Sequence, residues 1–175
     1  MKILVVVDMQ NDFIDGTLGT KEAQAIVPNV IKKIKEYTNN NDQIILTQDT
    51  HYNENYLETL EGKKLPIKHC IQNTYGHQIN EDILNAGIYR TIITKETFGT
   101  FDIARYYRDL FKASDSIELV GLCTDICVIS NAIILKAAFP NTPIIVDSKC
   151  CAGSTPKAHE KALDLMKNSL QIEVI

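Results

Sequence analysis

The chain has no excess of positive charge, no long apolar run and no cysteine spacing typical of a metal finger or a disulfide framework. Its net charge of −4 argues against nucleic acid or an acidic membrane surface as a partner. No apolar stretch reaches the roughly 20 residues that a membrane-spanning helix needs. Its five cysteines are an odd count, so we expect reduced thiols rather than disulfides.

Secretory signals, internal repeats, low-complexity tracts and linkers are also missing from the sequence. The apolar opening KILVVV is short and runs into an acid, which predicts a strand rather than a signal peptide. Apolar residues make up 45% and charged residues 23% of the 175 residues, which is ordinary for a globular protein. We therefore expect a single domain spanning residues 1–175 in the reducing cytoplasm.

Short Ile/Val-rich segments alternate with amphipathic ones along most of the chain. Consecutive apolar positions are typical of strands that are buried on both faces. The strands we predict are Lys2–Val7, Gln43–Gln48, Tyr89–Thr94, Ser116–Gly121, Pro143–Val146 and Leu170–Val174.

Four segments between these strands have the spacing of helices. They are Glu22–Tyr37, Asp102–Phe111, Asp125–Phe139 and Pro156–Lys167, of which the third is apolar nearly all round and predicts a buried central helix. Alternation of strands and helices predicts a three-layer α/β/α sandwich around a six-stranded, mostly parallel, Rossmann-like sheet. The polar stretch Thr50–Ile79 breaks this pattern, and we expect it to cover a pocket.

Reactive side chains stand just past the carboxyl ends of different predicted strands. Asp8 follows the first strand, Asp49 and His51 the second, Lys95 the third, and Cys127 the fourth. In a parallel sheet these ends share one edge, where ligands bind. We therefore expect the five side chains to meet in one pocket.

An acid, an amine and a thiol at one edge of the sheet are the groups that a nucleophilic catalytic site needs. Cys127 needs a base to take its proton and a positive charge to hold the anion, and Asp8 and Lys95 supply them. Cys127 near the start of a helix also predicts a stabilised thiolate, with Thr124 or Asp125 as the helix cap. Taken singly, each member of the trio also fits a structural role.

Asp49, His51 and the more distant His69 supply carboxylate and imidazole ligands. This set suits a divalent metal ion, with Zn²⁺ first and Mn²⁺ or Fe²⁺ as alternatives. By spacing alone, the three residues also fit a polar loop that binds no metal.

Five motifs along the chain resemble the isochorismatase-like cysteine hydrolase superfamily. VVDMQNDF (Val6–Phe13), KETFGTF (Lys95–Phe101) and GLCTDICV (Gly121–Val128) match the superfamily pattern. DTH (Asp49–His51) and LPIKHC (Leu65–Cys70) are similar to its nicotinamidase/pyrazinamidase branch. The resemblance runs over essentially the whole chain in the same order.

The resemblance implies a catalytic triad of Asp8, Lys95 and Cys127. In that family the cysteine attacks an amide carbonyl, ammonia leaves, and water hydrolyses the thioester. A cis peptide before the small residue four positions ahead of the nucleophile corresponds here to the Leu122–Cys123 bond. The oxyanion hole would then consist of the N–H groups of Cys123 and Cys127.

The resemblance also implies that Asp49, His51 and His69 hold a metal that orients the substrate's pyridine nitrogen. Relatives differ in the fourth ligand. We expect Glu61 in that position, and the alternatives that stay open are Glu58, Glu54 and water alone.

For the substrate pocket we predict Phe13, Leu65 and Leu122. Phe13 matches an aromatic that lines the pocket of relatives. The second aromatic wall of those relatives is absent here, because Leu65 and Pro66 occupy that region. Tyr75 or Phe98 would have to compensate.

The implied activity is a metal-assisted amidohydrolase that converts nicotinamide and water to nicotinate and ammonia, as in NAD salvage. A related amidase acting on another small amide or a carbamoyl group is the alternative, although such relatives generally lack the Asp-x-His metal set. Retention of Cys127 argues against isochorismatase chemistry, and the lack of G-x-G-x-x-G argues against a nucleotide-binding module. A thiol-redox module is disfavoured by the intact triad. We expect a homo-oligomer, by default.

The remaining cysteines and histidines fit structural roles. Cys150 and Cys151 are adjacent and predict small buried residues, and Cys70 is expected to pack beneath the metal loop. His77 and His159 lie in no motif, and we expect both to be exposed.

Overall fold

Six strands form one sheet in which every neighbouring pair is parallel, in the order β3-β2-β1-β4-β5-β6. The computed structural model describes residues 1–175. The strands are β1 (Lys2–Val7), β2 (Gln43–Asp49), β3 (Thr91–Lys95), β4 (Ser116–Leu122), β5 (Ile144–Ala152) and β6 (Glu173–Val174). The strand order reverses between β1 and β4, which is where open α/β sheets bind ligands.

Helices cover both faces of the sheet, so the three-layer α/β/α arrangement is confirmed. They are α1 (Asn11–Ile14), α2 (Lys21–Asn39), α3 (Leu60–Lys64), α4 (Glu81–Leu84), α5 (Phe101–Tyr106), α6 (Arg108–Lys112), α7 (Ile129–Ala138) and α8 (Pro156–Asn168). None of them combines the length and the apolar character needed to cross a membrane.

Alternation of side chains along the strands divides the core into two clusters. In β1, Ile3, Val5 and Val7 belong to the cluster that includes residues of α5 to α8. Leu4 and Val6 belong to the other cluster, with residues of α1, α2 and α4. Every apolar residue of this strand is therefore buried, which explains its unbroken hydrophobic sequence.

Gly121 is required where β4 passes closest to β1. Its φ of +118° lies outside the range that side chains favour, and an added Cβ would stand 2.1 Å from the Val7 carbonyl oxygen. The glycine of the GLC motif therefore permits the close approach of the two strands that carry the site.

Some predicted boundaries are wrong. β5 runs on to Ala152, because polar residues near its middle hid the continuation beyond Val146. Its partner β6 is reduced to Glu173–Val174. The predicted helix Asp102–Phe111 is broken at Tyr107, whose ψ of 24° is not helical, and gives α5 and α6.

The predicted central helix Asp125–Phe139 is also different in the structure. Thr124–Val128 form a π-helical turn, and the regular helix begins only at Ile129. One side of α7 faces solvent, with Ile133 44% exposed, so the expectation of a fully buried helix is wrong. A helix with apolar residues on all sides can be buried on one face only, so the sequence pattern did not reveal which faces of α7 are covered.

A buried ionic network joins α2 to the sheet. Lys33 Nζ lies 2.7 Å from Glu118 Oε1 and 2.9 Å from Asp147 Oδ2. The Tyr37 hydroxyl donates to the second Glu118 oxygen at 2.6 Å. Burial and the hydrogen bond to Glu118 raise the pKa of Tyr37, so the hydroxyl keeps its proton and remains a donor. Glu118 thereby ties the helix to the middle of β4.

Glu118→Ala should lower the free energy of unfolding by about 3 kcal/mol, because it leaves the Lys33 ammonium and the Tyr37 hydroxyl partly unpaired in a buried position. Urea denaturation measures this change. The control is Glu36→Ala on the exposed face of α2, the helix that carries Lys33 and Tyr37. Its free energy of unfolding should stay within about 0.5 kcal/mol of the parent value. Equal losses in the two variants would contradict a structural role for the network.

Candidate active site

Four strands deliver the reactive groups to one edge of the sheet. Asp8 follows β1, Asp49 and Lys95 end the neighbouring strands β2 and β3, and Cys127 lies in the turn after β4. Asp49 and Lys95 are paired directly in the register of their strands. The strand-end reasoning therefore placed these side chains together correctly.

The backbone of Asp8 leaves the sheet in a left-handed conformation. Its φ is +46°, which a non-glycine residue rarely adopts. Thr47 supports it, because the Thr47 hydroxyl donates to Asp8 Oδ1 at 2.6 Å and accepts from the Asp8 N–H at 3.3 Å. The second oxygen, Oδ2, accepts no regular hydrogen bond and faces the lysine. One carboxylate oxygen is thus fixed by the fold, and the other is open to chemistry.

Lys95 stands at the centre of the charged groups. Its ammonium nitrogen lies 2.7 Å from Asp8 Oδ2, 3.1 Å from Asp49 Oδ1 and 3.6 Å from Cys127 Sγ. The lysine side chain is 1% exposed, so water screens these contacts very little. A single cation therefore holds both carboxylates and the thiol in place.

Burial controls the protonation of this group. Burial raises the pKa of Asp8, and the positive charge of Lys95 opposes that shift only in part. Burial alone would lower the pKa of Lys95, but the charges of Asp8, Cys127 and Asp49 outweigh it and raise that pKa. Burial, followed by the negative charge of Asp8, raises the pKa of the Cys127 thiol well above its usual value.

The local structure around Cys127 differs from the expected helix N-terminus. A helix N-terminus was expected to hold it as a thiolate, but the cysteine lies in the π-helical turn and its raised pKa favours the neutral thiol. The expected caps also differ. Asp125 accepts from the N–H and hydroxyl of Ser154 at 2.7 and 2.6 Å, and the Thr124 hydroxyl pairs with His159 Nδ1 at 2.8 Å. A thiol in this position would be a weak nucleophile unless a neighbouring base took its proton.

The turn that carries Cys127 begins at a cis Leu122–Cys123 peptide bond, as the family resemblance implies. The Cys123 carbonyl accepts from the N–H groups of Ile126 and Val128 at 3.0 and 3.1 Å, which wraps the turn around this residue. Cys123 and Cys127 line the same cavity. The backbone amides predicted as oxyanion donors thus belong to residues on one wall of it.

Next to the triad lies a cluster of four potential metal ligands, Asp49, His51, Glu61 and His69, whose ligand atoms all fall within 4.8 Å of one another. Asp49 Oδ2 is 3.0 Å from His51 Nε2 and 3.8 Å from His69 Nε2. Glu61 Oε1 is 3.7 Å from the first of these nitrogens and 3.4 Å from the second. Of the possible fourth ligands, the structure brings Glu61 into the cluster and leaves Glu54 and Glu58 exposed.

The contacts of His69 and His51 fit a cation between these atoms. His69 Nδ1 lies 2.9 Å from the Ile67 carbonyl oxygen, which only accepts, so Nδ1 carries the proton and Nε2 presents a lone pair to the cluster. His51 Nε2 is buried without a hydrogen-bonded partner. Two imidazole nitrogens and two carboxylates in a buried cluster suit Zn²⁺ or a similar divalent ion.

A cavity of about 200 Å³ connects the two clusters. It is lined by Phe13, Leu18, Asp49, Glu61, Lys64, Leu65, His69, Phe98, Cys123, Ile126 and Cys127. Its volume is below the roughly 300–1,000 Å³ of pockets for drug-sized ligands, so it fits a smaller molecule.

Some of the residues predicted for the substrate pocket line this cavity and others do not. Phe13, Leu65 and Phe98 line it. Leu122 does not, because its side chain points into the core and is 1% exposed. Tyr75 is exposed and lies outside it.

Sequence reasoning missed Leu18, Lys64 and Ile126 as lining residues. The position of Lys64 just ahead of Leu65 and that of Ile126 just ahead of the nucleophile were usable signals. No sequence signal pointed to Leu18.

The irregular segment Thr50–Ile79 covers the cavity as predicted. It supplies Glu61, Lys64, Leu65 and His69 to the lining.

The residues predicted as structural are mostly confirmed. Cys70, Cys150 and Cys151 are free thiols and buried. His77 and His159 were expected to be exposed, and this is wrong. Both are half-buried, since His77 Nε2 pairs with the Thr50 hydroxyl at 3.0 Å and His159 packs on the π-helical turn.

Comparison with known proteins identifies the family of this chain. Residues 2–175 match the family model described as the isochorismatase domain. A curated nicotinamidase of Acinetobacter baylyi is 28% identical, with 83% of this chain and 79% of that protein covered. A curated nicotinamidase of Saccharomyces cerevisiae is 24% identical, with 95% and 96% covered.

Solved structures give the same result. A pyrazinamidase/nicotinamidase of Streptococcus mutans has a TM-score of 0.86 at 26% identity, with 100% of both chains covered. A pyrazinamidase of Pyrococcus horikoshii, solved in complex with zinc, has a TM-score of 0.82 at 26% identity, with 99% and 98% covered.

The chain therefore belongs to the isochorismatase family and is an amide-bond hydrolase. Within that family, its relatives and structural neighbours support the nicotinamidase/pyrazinamidase branch.

The geometry predicts how metal affinity responds to changes in the cluster. Glu61→Gln should weaken Zn²⁺ binding by at least about 10-fold, because it removes one of two carboxylates from the ligand set. Competition with a chromophoric chelator measures the dissociation constant. The matched control is Glu58→Gln, whose side chain is exposed and outside the cluster. If both variants bind Zn²⁺ like the parent, Glu61 is not a ligand.

Proposed function

We propose that the protein hydrolyses nicotinamide to nicotinate and ammonia, with Cys127 as the nucleophile. The observation that carries this proposal is the position of Lys95, whose ammonium contacts Asp8, Asp49 and Cys127 at once. Through these contacts, Lys95 links the Asp8–Cys127 pair to Asp49 of the potential metal cluster, beside one cavity. The names of the relatives and structural neighbours, nicotinamidase and pyrazinamidase, support the same substrate class.

In the first half of the proposed reaction, Asp8 acts as the general base. Its Oδ2 takes the proton of the Cys127 thiol, and the sulfur attacks the amide carbonyl carbon. The backbone N–H groups of Cys123 and Cys127 stabilise the oxyanion that develops. Asp8 then returns the proton to the amide nitrogen, the C–N bond breaks, and ammonia leaves a thioester on Cys127.

In the second half, water replaces ammonia. Asp8 takes a proton from the water, whose oxygen attacks the thioester carbonyl. The C–S bond breaks, Asp8 returns the proton to the sulfur of Cys127, and the carboxylic acid loses its own proton to solvent and leaves as its carboxylate. Asp8 must therefore be ionised when each half begins, and Lys95 favours that form.

Asp49, His51, Glu61 and His69 are the residues that would hold a divalent metal, for which Zn²⁺ is the first choice. The chemistry it supplies when bound is coordination of the pyridine nitrogen, which orients and polarises the ring.

Apolar walls complete the proposed substrate site. Phe13, Leu65 and Phe98 line the cavity between the nucleophile and the metal ligands. Packing of a small flat ring against them would hold the amide near Cys127. Leu65, in the region where relatives carry an aromatic residue, offers contact area but no ring stacking.

The test is ammonia release from nicotinamide by the Zn²⁺-loaded protein. The parent should release ammonia, Cys127→Ala should lose at least about 1,000-fold of the rate, and Asp8→Asn should lose a comparable factor because the thiol then has no base. A matched control is Cys150→Ala, which removes a buried thiol outside the cavity. Cys150→Ala should keep the parent rate.

Two results would count against parts of the proposal. Undiminished release by Cys127→Ala would exclude the nucleophile. No release from nicotinamide by a parent that hydrolyses another small amide would exclude the substrate while keeping the reaction class.

A further inference from the structure

Asp49 lies at the end of β2, beyond the point where β1 stops pairing with this strand. The pairing of β1 with β2 ends at Val6 and Leu46, because the chain turns away at the left-handed Asp8. Strand β2 continues to Asp49, and its pairing with β3 also continues to that residue. On the side towards β1, the backbone of Asp49 therefore has no strand to pair with, although the residue is buried. Buried backbone groups without partners are costly, so something else must satisfy them.

The side chain of Gln10 fills this gap. Gln10 Oε1 accepts from the Asp49 N–H at 2.7 Å, and Gln10 Nε2 donates to the Asp49 carbonyl at 2.8 Å. The same Nε2 donates to the carbonyl of His77 at 2.8 Å. Gln10 is fully buried. Its carboxamide thus uses its acceptor and both its donors on backbone groups, as a peptide group of a neighbouring strand would.

We infer that Gln10 is a positioning residue that allows the Asp49 carboxylate to serve two clusters at once. This inference rests on the proposed metal site. Gln10 does not line the cavity and makes no hydrogen bond to the side chains of the proposed ligands, so it acts through the backbone of Asp49.

The two oxygens of Asp49 explain why its backbone must be held. Oδ1 lies 3.1 Å from Lys95 Nζ, and Oδ2 lies 3.0 Å from His51 Nε2. The carboxylate therefore points one oxygen at the triad and the other at the metal ligands. A rotation or shift of its backbone would lengthen one contact or the other, and the short aspartate side chain has little freedom to compensate.

A second glutamine provides a matched control. Gln48 Nε2 also donates to the His77 carbonyl, at 2.9 Å, but it makes no hydrogen bond to Asp49. Both glutamines therefore hydrogen-bond the His77 carbonyl, but only Gln10 hydrogen-bonds the backbone of Asp49. Replacement of either by methionine keeps the side-chain length and removes its hydrogen bonds.

The experiment compares Gln10→Met, Gln48→Met and Ile34→Val by Zn²⁺ affinity and by amide hydrogen exchange. Ile34 is a fully buried core residue on α2, and its variant lowers stability without touching Asp49. Gln10→Met should weaken Zn²⁺ binding about 10- to 100-fold, as expected for a residue that orients a ligand. It should also speed exchange of the Asp49 amide, while the amides in the middle of β2 stay protected. The two controls should bind Zn²⁺ within about 2-fold of the parent.

Melting temperatures separate positioning from general destabilisation. Loss of Zn²⁺ affinity in Gln10→Met beyond that of a control with a comparable fall in melting temperature supports the inference. Equal affinities in Gln10→Met and Gln48→Met, or a parent that binds no Zn²⁺, would overturn it. Neither readout uses nicotinamide, so a parent that fails to hydrolyse nicotinamide sinks the proposed substrate and leaves this result standing.

Discussion

The buried ammonium of Lys95 is the interaction on which the whole site depends. Two carboxylates, Asp8 and Asp49, lie within 3.1 Å of it in a region that water barely reaches. Without a cation between them they would repel each other, and each would bear a desolvation cost of several kcal/mol. Lys95 offsets part of both costs with one charge. It also lies 3.6 Å from Cys127 Sγ, so the same charge is in place to stabilise a thiolate as it forms.

The strand order of the sheet explains why this lysine can make all three contacts. Asp8 follows β1, and Asp49 and Lys95 end β2 and β3. These three strands lie side by side, and β4 lies on the other side of β1. Because the chain turns away from the sheet at Asp8, the end of β2 has no strand beside it on the β1 side. The Gln10 carboxamide hydrogen-bonds the backbone N–H and carbonyl of Asp49 there. A departure from regular pairing at one residue is thus what makes room for the site. The backbone of Asp49 loses its hydrogen bonds to β1, and the side chain of Gln10 replaces them.

The predictable part of this arrangement followed from strand ends and motif order. Asp8, Lys95 and Cys127 were placed together because parallel strands share their carboxyl edge, a rule that needs no side-chain detail. The π-helical turn around Cys127 was not predictable, since its apolar pattern is the same as that of an ordinary helix. The role of Gln10 was hidden for another reason. It depends on where β1 stops pairing with β2, which is set by the backbone angle of Asp8 and not by any periodicity.

The central claim is that Cys127 becomes an acyl carrier when Asp8 takes the proton of its thiol. The most direct measurement is acid quenching of the Zn²⁺-loaded protein during turnover of nicotinamide, followed by peptide mass mapping. The account predicts a nicotinoyl group on the peptide that contains Cys127, present only while substrate remains and absent in Asp8→Asn. Steady turnover with an acyl group on another cysteine, or with none on any residue under conditions that preserve thioesters, would contradict it.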